Sequence, residues 1–216
     1  MTEAILFDLD GTLLDTAPDL GGALNAVLIN HGKEPLPMPL VRTYVSRGAM
    51  ALVELGFGHG PNSDKAQPLW QELIDYYANH LADHTCFFDG ILPLLDRIEK
   101  RGKKWGIVTN KPGFLTTPLL DMMALTDRAQ TVVSGDTLVN KKPHPDPIWH
   151  ACNALAIDPT DAIYIGDDRR DIEAGNSAGM PTLGALWGYI LAEDDPSKWG
   201  ANGLIHHPDA IDEWIT

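Results

Sequence analysis

AILFDLDGTLLDT, residues 4–16, decides the fold. Its first half, Ala4 to Phe7, is a short apolar run with no alternation, the pattern of a parallel strand buried on both faces. The run stops at Asp8 and continues as Asp10-Gly11-Thr12, residues that suit a turn. A buried strand that ends in acids places those acids at the carboxyl edge of a sheet. The same grammar recurs along the chain. Trp105 to Val108 leads into Thr109 and Asn110, Thr131 to Asp136 forms a third unit, and Ala162 to Asp168 a fourth. Pro181 to Leu186 is a fifth. Helical patterns lie between them at Ile91–Lys100, Phe114–Met123, Pro147–Ala156 and Arg170–Ala178. Strands alternating with helices predict an α/β protein with a doubly wound parallel sheet.

One stretch departs from this rhythm. From about Pro18 to Asp83 the spacing is helical throughout. Leu20, Ala23, Leu24, Val27 and Leu28 share one face, as do Leu69, Leu73, Ile74 and Tyr77. The loops 33–39 and 56–64 separate these helices. The division expected is a catalytic core over 1–16 and 88–216, with an all-helical cap domain over 17–87. Ligands of open α/β sheets bind at the carboxyl ends of the strands. An insertion leaving after the first strand therefore lies over the site as a lid.

The bulk properties narrow the chemistry. The chain has 216 residues, 44% of them hydrophobic and 21% charged, ordinary values for a globular protein. No apolar run approaches the roughly 20 residues of a membrane span. The segment MTEAILFDLD has no basic stretch followed by an apolar one, so no signal peptide is expected. Cys86 and Cys152 lack metal-ligand spacing and read as two buried thiols. Together these features point to the cytoplasm. The net charge of −14 excludes nucleic acid and anionic membranes as partners. An anionic substrate then needs a site with its own positive charge.

The proposed strand ends supply one. Asp8 and Asp10 follow the first strand, Thr109 and Asn110 the second. Lys142 lies beyond the third, and Asp167, Asp168 and Asp171 after the fourth. Each group has an ordinary alternative. Asp-x-Asp-Gly makes a turn, Gly-Asp-Asp starts a helix with an N-cap, and Lys-Pro makes a solvated loop. Their coincidence at strand ends favours a site. Carboxylates gathered in one cleft repel unless a cation joins them, and an oxygen-only donor set suits Mg²⁺. Lys142 adds a second positive charge, and Thr109 and Asn110 can donate hydrogen bonds to phosphate oxygens.

DLDGTLLDT (8–16), VTN (108–110), Lys142 in KKPHPDP and GDDRRD (166–171) together resemble, in order, the four motifs of the haloacid dehalogenase-like hydrolase superfamily. The resemblance covers nearly the whole chain. It implies a Rossmann-like core with a helical cap inserted after the first motif, and it implies roles. Asp8 is then the nucleophile that forms an aspartyl-phosphate. Asp10 is general acid and general base. Thr109 and Asn110 hold the phosphate, and Lys142 steadies nucleophile and phosphate. Asp8, the Asp10 carbonyl and Asp167 ligate Mg²⁺, with Asp171 in support. Asp168 fits helix capping as well as metal support. The second aspartate, Asp10, separates the chain from the dehalogenases of the superfamily and places it with the phosphoryl-transfer branch.

Within that branch NKKPHPDP (140–147) and GDDRRDIEAGNSAGMP (166–181) are similar to the phosphoglycolate phosphatase group. WGIVTNKP (105–112), FFDG (87–90) and the tail 187–201 look closer to N-acetylmuramic acid 6-phosphate phosphatases. Both imply a small phosphorylated metabolite as partner, a role in carbohydrate metabolism, and a monomer or homodimer. A phosphosugar mutase of the same superfamily, which returns the phosphoryl group to a sugar, is the alternative. A catalytically inactive binding protein is a remoter one, disfavoured by the complete set of acids and Lys142. Specificity falls to the cap, where Arg47 precedes a helix start at Gly48 and can reach a substrate carboxylate or hydroxyl. His144 and the pair His206-His207 read as exposed loop residues. The six tryptophans read as packing anchors, with Trp187 and Trp199 in loops where a ligand contact stays open.

Overall fold

The computed structural model describes residues 2–215. In chain order the strands are β1 (Ala4–Phe7), β2 (Leu14–Asp15), β3 (Cys86–Phe87), β4 (Lys104–Val108), β5 (Thr131–Val133), β6 (Ala162–Gly166), β7 (Thr182–Ala185) and β8 (Gly203–Ile205). The helices are α1 (Ala17–Asn30), α2 (Met38–Tyr44), α3 (Ala49–Phe57), α4 (Ala66–Ala78), α5 (Ile91–Lys100), α6 (Gly113–Met122), α7 (Asp146–Leu155) and α8 (Arg169–Ala178).

The main sheet runs β5-β4-β1-β6-β7-β8, every pair parallel. The chain builds from β1 outward through β4 to β5, then returns to β6 on the other side of β1 and continues to β8. The order reverses beside β1, so the crevice of a doubly wound sheet lies at its carboxyl end. All four residues of β1 are fully buried. Successive side chains alternate between faces. Ile5 and Phe7 join the apolar layer under α5 and α6, while Ala4 and Leu6 join the layer under α7 and α8. The spacing of Ile91, Leu94, Leu95 and Ile98 gives α5 one apolar stripe, and those are its buried residues. The sheet thus has helices on both faces, as its unbroken apolar strands require.

Helices α1 to α4 lie between β2 and β3 and pack on one another. The buried face of α1 holds Leu20, Ala23, Leu24, Val27 and Leu28, and that of α4 holds Leu69, Leu73, Ile74 and Tyr77. The two connections to the sheet lie side by side. Leu14 pairs with Phe87 and Asp15 with Cys86 in an antiparallel two-stranded ribbon. Beside it, Asp19 accepts hydrogen bonds from the amides of His84 and Thr85 and from the Thr85 hydroxyl. Arg42 on α2 bridges to Asp15 at 2.9 Å, and its guanidinium lies 5.0 Å from the Tyr189 ring centroid.

Three short strands escape the sequence reading. β2 and β3 have two residues each, and β8 has three at the sheet edge, too few to show a period. One expectation is corrected. Cys152 is buried, but Cys86 is exposed, because β3 belongs to the outlying ribbon and has no sheet to cover it. Among the described residues, no helix is long and apolar enough to cross a membrane.

Candidate active site

The sheet brings the predicted acids together. Asp8 follows β1, and Asp167 follows β6, the strand paired directly with it. Asp171 rises from the first turn of α8. One oxygen from each of Asp8, Asp167 and Asp171 lies within 4.8 Å of the others, and all three residues are buried. Lys142 arrives on the loop before α7. Its Nζ lies 2.6 Å from Asp171 Oδ1 and 2.9 Å from Asp8 Oδ1, and it donates to the Val108 carbonyl and to the Tyr164 hydroxyl.

Local chain geometry makes room for this crowding. Gly11 has φ +88°, and a Cβ there would lie 2.2 Å from Asp167 Oδ2. A Cβ on Gly188, in the tail, would likewise lie 2.2 Å from the Asp167 Cβ. The side chain of Asp167 is held by three donors. The Thr12 hydroxyl meets Oδ1 at 3.0 Å, while the Ser46 hydroxyl and the Tyr189 amide meet Oδ2 at 2.9 and 2.8 Å.

Electrostatics strain the group. Burial, with Asp171 and Asp10 nearby, lifts the Asp8 carboxyl to about 7 despite the opposing pull of Lys142. Burial and the charges of Asp8 and Asp171 push Asp167 well above the usual carboxylate range, against the Tyr189 amide and Ser46. For Lys142, burial works against the charge, but Asp171 and Asp8 outweigh it and hold its pKa above that of ordinary lysine. Asp8 Oδ1 is buried without a hydrogen bond of its own and meets the Lys142 ammonium as an ion pair at 2.9 Å. Three buried carboxylates facing one ammonium carry excess negative charge, and one oxygen is left to spare. A divalent, oxygen-seeking cation answers both conditions.

The other predicted residues separate. The Asp10 carboxylate is not in the triad; its Oδ1 accepts from Thr16 Oγ1 at 2.6 Å and from Lys111 Nζ at 2.9 Å. Thr109 follows β4 and faces the same cavity, its Oγ1 accepting from the Lys111 amide at 3.1 Å. Asn110 lines the cavity as well, and its side chain also reaches the lysine loop. Both polar atoms of its amide bond the Lys142 backbone, Nδ2 to the carbonyl at 2.9 Å and Oδ1 from the amide at 3.1 Å. It ties the lysine loop to β4. Asp168 caps α8, accepting from the Arg170 amide, and pairs with the Arg170 side chain at 2.8 Å. Against burial, Arg170 holds its carboxyl below the usual range.

The site opens into a cavity of about 290 Å³ whose roof is the inserted helices. Asp8 and Thr109 line its floor; Met50, Trp70 and Ile74 form an apolar wall; Arg47 stands exposed at the rim, 5.9 Å from the Tyr44 ring centroid. Trp70, not Trp187 or Trp199, is the tryptophan at the cavity. Trp187 donates to the Thr12 carbonyl, and Trp199 is buried against Asp194. His144, His206 and His207 are exposed, as read. Sequence reasoning missed Lys111, Ser46 and Tyr164. Lys111-Pro112 after β4 repeats the Lys142-Pro143 pair, a signal that was available. Ser46 and Tyr164 carried none, since their partners lie on distant segments.

Comparisons with known proteins agree with this geometry. The profile of the family described as haloacid dehalogenase-like hydrolase matches residues 5–185. An N-acetylmuramic acid 6-phosphate phosphatase of Pseudomonas aeruginosa is 44% identical over 206 residues, 95% of this chain and 91% of the relative. A phosphoglycolate phosphatase of Xylella fastidiosa is 41% identical over 209 residues, 96% of this chain and 90% of the relative. The solved structure of a predicted phosphoglycolate phosphatase from Haemophilus somnus superposes with a TM-score of 0.88 at 23% identity, over 100% of this chain and 98% of that one.

Proposed function

The chain belongs to the haloacid dehalogenase-like hydrolase family, and from that premise we propose that it is a phosphatase acting on a small phosphorylated metabolite through Asp8. The observation that carries the reading is Oδ1 of Asp8, buried without a hydrogen-bond donor and ion-paired with Lys142 at the floor of a cavity beneath the inserted helices. That oxygen is placed as a nucleophile is, with a fixed positive charge beside it.

Asp8, Asp167 and Asp171, with the Asp10 carbonyl, would hold Mg²⁺. Bound there, the ion neutralises the carboxylates and the phosphoryl oxygens. The remaining steps belong to side chains. An Asp8 oxygen bonds to phosphorus as the ester P–O bond breaks, and the Asp10 carboxyl gives its proton to the departing oxygen. Water then attacks the aspartyl-phosphate and gives a proton to Asp10 as the Asp8–phosphorus bond breaks. The net change is ester plus water to alcohol plus inorganic phosphate. Lys142 and the Thr109 hydroxyl stabilise the charge on the phosphoryl oxygens. Asn110 fixes the Lys142 loop through its side-chain amide and keeps its second Nδ2 hydrogen for a phosphoryl oxygen.

Residues 17–87 serve as the cap, over a core of 1–16 and 88–216. A cavity of about 290 Å³ stands at the small end of the ~300–1,000 Å³ usual for metabolite pockets. The wall of Met50, Trp70 and Ile74 gives an apolar surface that phosphoglycolate, two carbons long, does not use. It favours a phosphorylated acylated amino sugar, with Arg47 at the rim meeting a carboxylate or hydroxyl. Phosphoglycolate is the second reading, supported by the 41% identical relative that carries that name. The enzyme works in the cytoplasm. A screen of phosphorylated metabolites with Mg²⁺, including N-acetylmuramic acid 6-phosphate, phosphoglycolate and a hexose 1-phosphate, tests the reaction and the substrate. Release of inorganic phosphate supports a phosphatase; an isomerised hexose phosphate without free phosphate makes it a mutase.

A further inference from the structure

Lys142 is one of two buried ammonium groups at this site. Lys111 is the other, and the chemistry above does not use it. Its side chain is 6% exposed. Burying an ammonium costs several kcal/mol unless it is fully paired, and Lys111 has two partners from different parts of the chain. Its Nζ donates to Asp10 Oδ1 at 2.9 Å and to the Tyr77 hydroxyl at 2.8 Å. It also lies 4.6 Å from the Tyr77 ring centroid, within cation–π range. Tyr77 is a buried residue of α4, in the inserted helical segment. Asp10 stands two residues after the proposed nucleophile. Burial acts against the charge on Lys111, but Asp10 and Tyr77 outweigh it and hold its pKa above that of ordinary lysine.

The path from α4 to the reacting groups is therefore one hydroxyl, one ammonium and one carboxylate. We propose that Lys111 is a positioning residue for Asp10, carrying the seating of helix α4 through Tyr77 to the carboxyl that exchanges protons with the leaving oxygen and with water. The inference rests on the role given to Asp10 in the preceding subsection. Lys111 keeps its own protons throughout. When the P–O bond breaks, the proton that reaches the leaving oxygen comes from Asp10, and Lys111 fixes where that carboxyl stands. A small displacement of a proton donor removes most of its benefit.

This assignment has a signature that fold or phosphate binding does not share. A misplaced acid hurts poor leaving groups most, because a stabilised phenolate departs without a proton. The experiment compares phenyl phosphate with 4-nitrophenyl phosphate, following phenol release in the first turnover with Mg²⁺ present. Lys111→Met should lower the rate for phenyl phosphate by about ten-fold or more beyond its effect on 4-nitrophenyl phosphate, within the range proton transfer supplies. Tyr77→Phe keeps the ring and should shift the two rates the same way by a smaller factor, a second readout if Lys111→Met folds poorly. Lys111→Arg should restore part of the difference. Asp10→Ala is the control and should show the largest difference. Equal losses on both esters in Lys111→Met and Tyr77→Phe would overturn the inference and leave Asp10 in its role. Equal losses in Asp10→Ala would overturn both.

Discussion

The hydroxyl of Ser46 donates to Oδ2 of Asp167 across 2.9 Å, joining the inserted helices to the acid cluster of the sheet. The contact is reinforced one residue away in space. Arg170, on α8, donates to the Ser46 carbonyl and pairs with Asp168. The inserted helices and the acid cluster thus share a hydrogen bond, and any separation of the two takes a donor from Asp167.

Asp167 should therefore govern metal affinity. Mg²⁺ should raise the melting temperature of the wild-type protein, and Asp167→Asn should remove most of that rise. At a metal concentration 100 times the dissociation constant the stabilisation expected is ~2.7 kcal/mol. EDTA should abolish turnover and Mg²⁺ restore it. Full activity in EDTA would refute the metal assignment.

Asp8→Asn removes the proposed nucleophile while keeping the side chain's shape. Turnover should fall by at least ~10³-fold, with circular dichroism unchanged. Residual activity within ten-fold of wild type, about 1.4 kcal/mol, would place the nucleophile elsewhere.

The raised pKa of Asp8 makes a signed prediction for the metal-free protein. Its folded value, about 7, lies above that of the unfolded chain. Between the two, the folded state holds a proton that the unfolded state has released, so stability falls as pH rises through that interval. In EDTA, wild type should lose more stability than Asp8→Asn between about pH 5 and about pH 7.5, by on the order of 1–3 kcal/mol. Denaturant melts at the two pH values measure it. Parallel loss in both proteins would show that Asp8 is ionised throughout.

Arg47 is exposed and its effect should be confined to binding. Arg47→Ala should raise KM for a carboxylate-bearing substrate by about ten-fold, near 1.4 kcal/mol, with kcat nearly kept. Methyl phosphate, which has no carboxylate, should be turned over as before. An unchanged KM for the carboxylate-bearing ester would remove Arg47 from the site.

Gly11 combines a positive φ with a Cβ position 2.2 Å from Asp167. Gly11→Ala should cost at least ~2 kcal/mol in a denaturant melt and depress activity with it, because the side chain it displaces is an acid of the cluster. Wild-type stability and rate would show that the turn relaxes freely.

Much of this site can be read from sequence because topology does the assembling. Asp8, Thr109 and Asp167 each end a buried apolar run, and a parallel sheet sends all such ends to one edge. The helical character of 18–83 is equally plain from the spacing of Leu20, Leu24, Leu69 and Leu73. What cannot be read are pairings set by side-chain reach between distant segments. The amide of Asn110 turns to Lys142, and Ser46 meets Asp167 across 121 positions of sequence. No local pattern encodes either. The exposure of Cys86 belongs to the same class, since it depends on a two-residue ribbon lying clear of the sheet.

That ribbon has an evolutionary and practical corollary. Because Leu14–Phe87 and Asp15–Cys86 bring the outgoing and returning strands into register, the parallel sheet experiences everything between them as one short hairpin. Its length is invisible to strands β4 to β8, although Ser46 and Tyr77 reach from within it to Asp167 and Lys111. A transplant of residues 17–85 that retains Ser46 and Tyr77 should leave phosphoryl chemistry running and change which ester is accepted, making the neck the natural splice point for re-engineering selectivity.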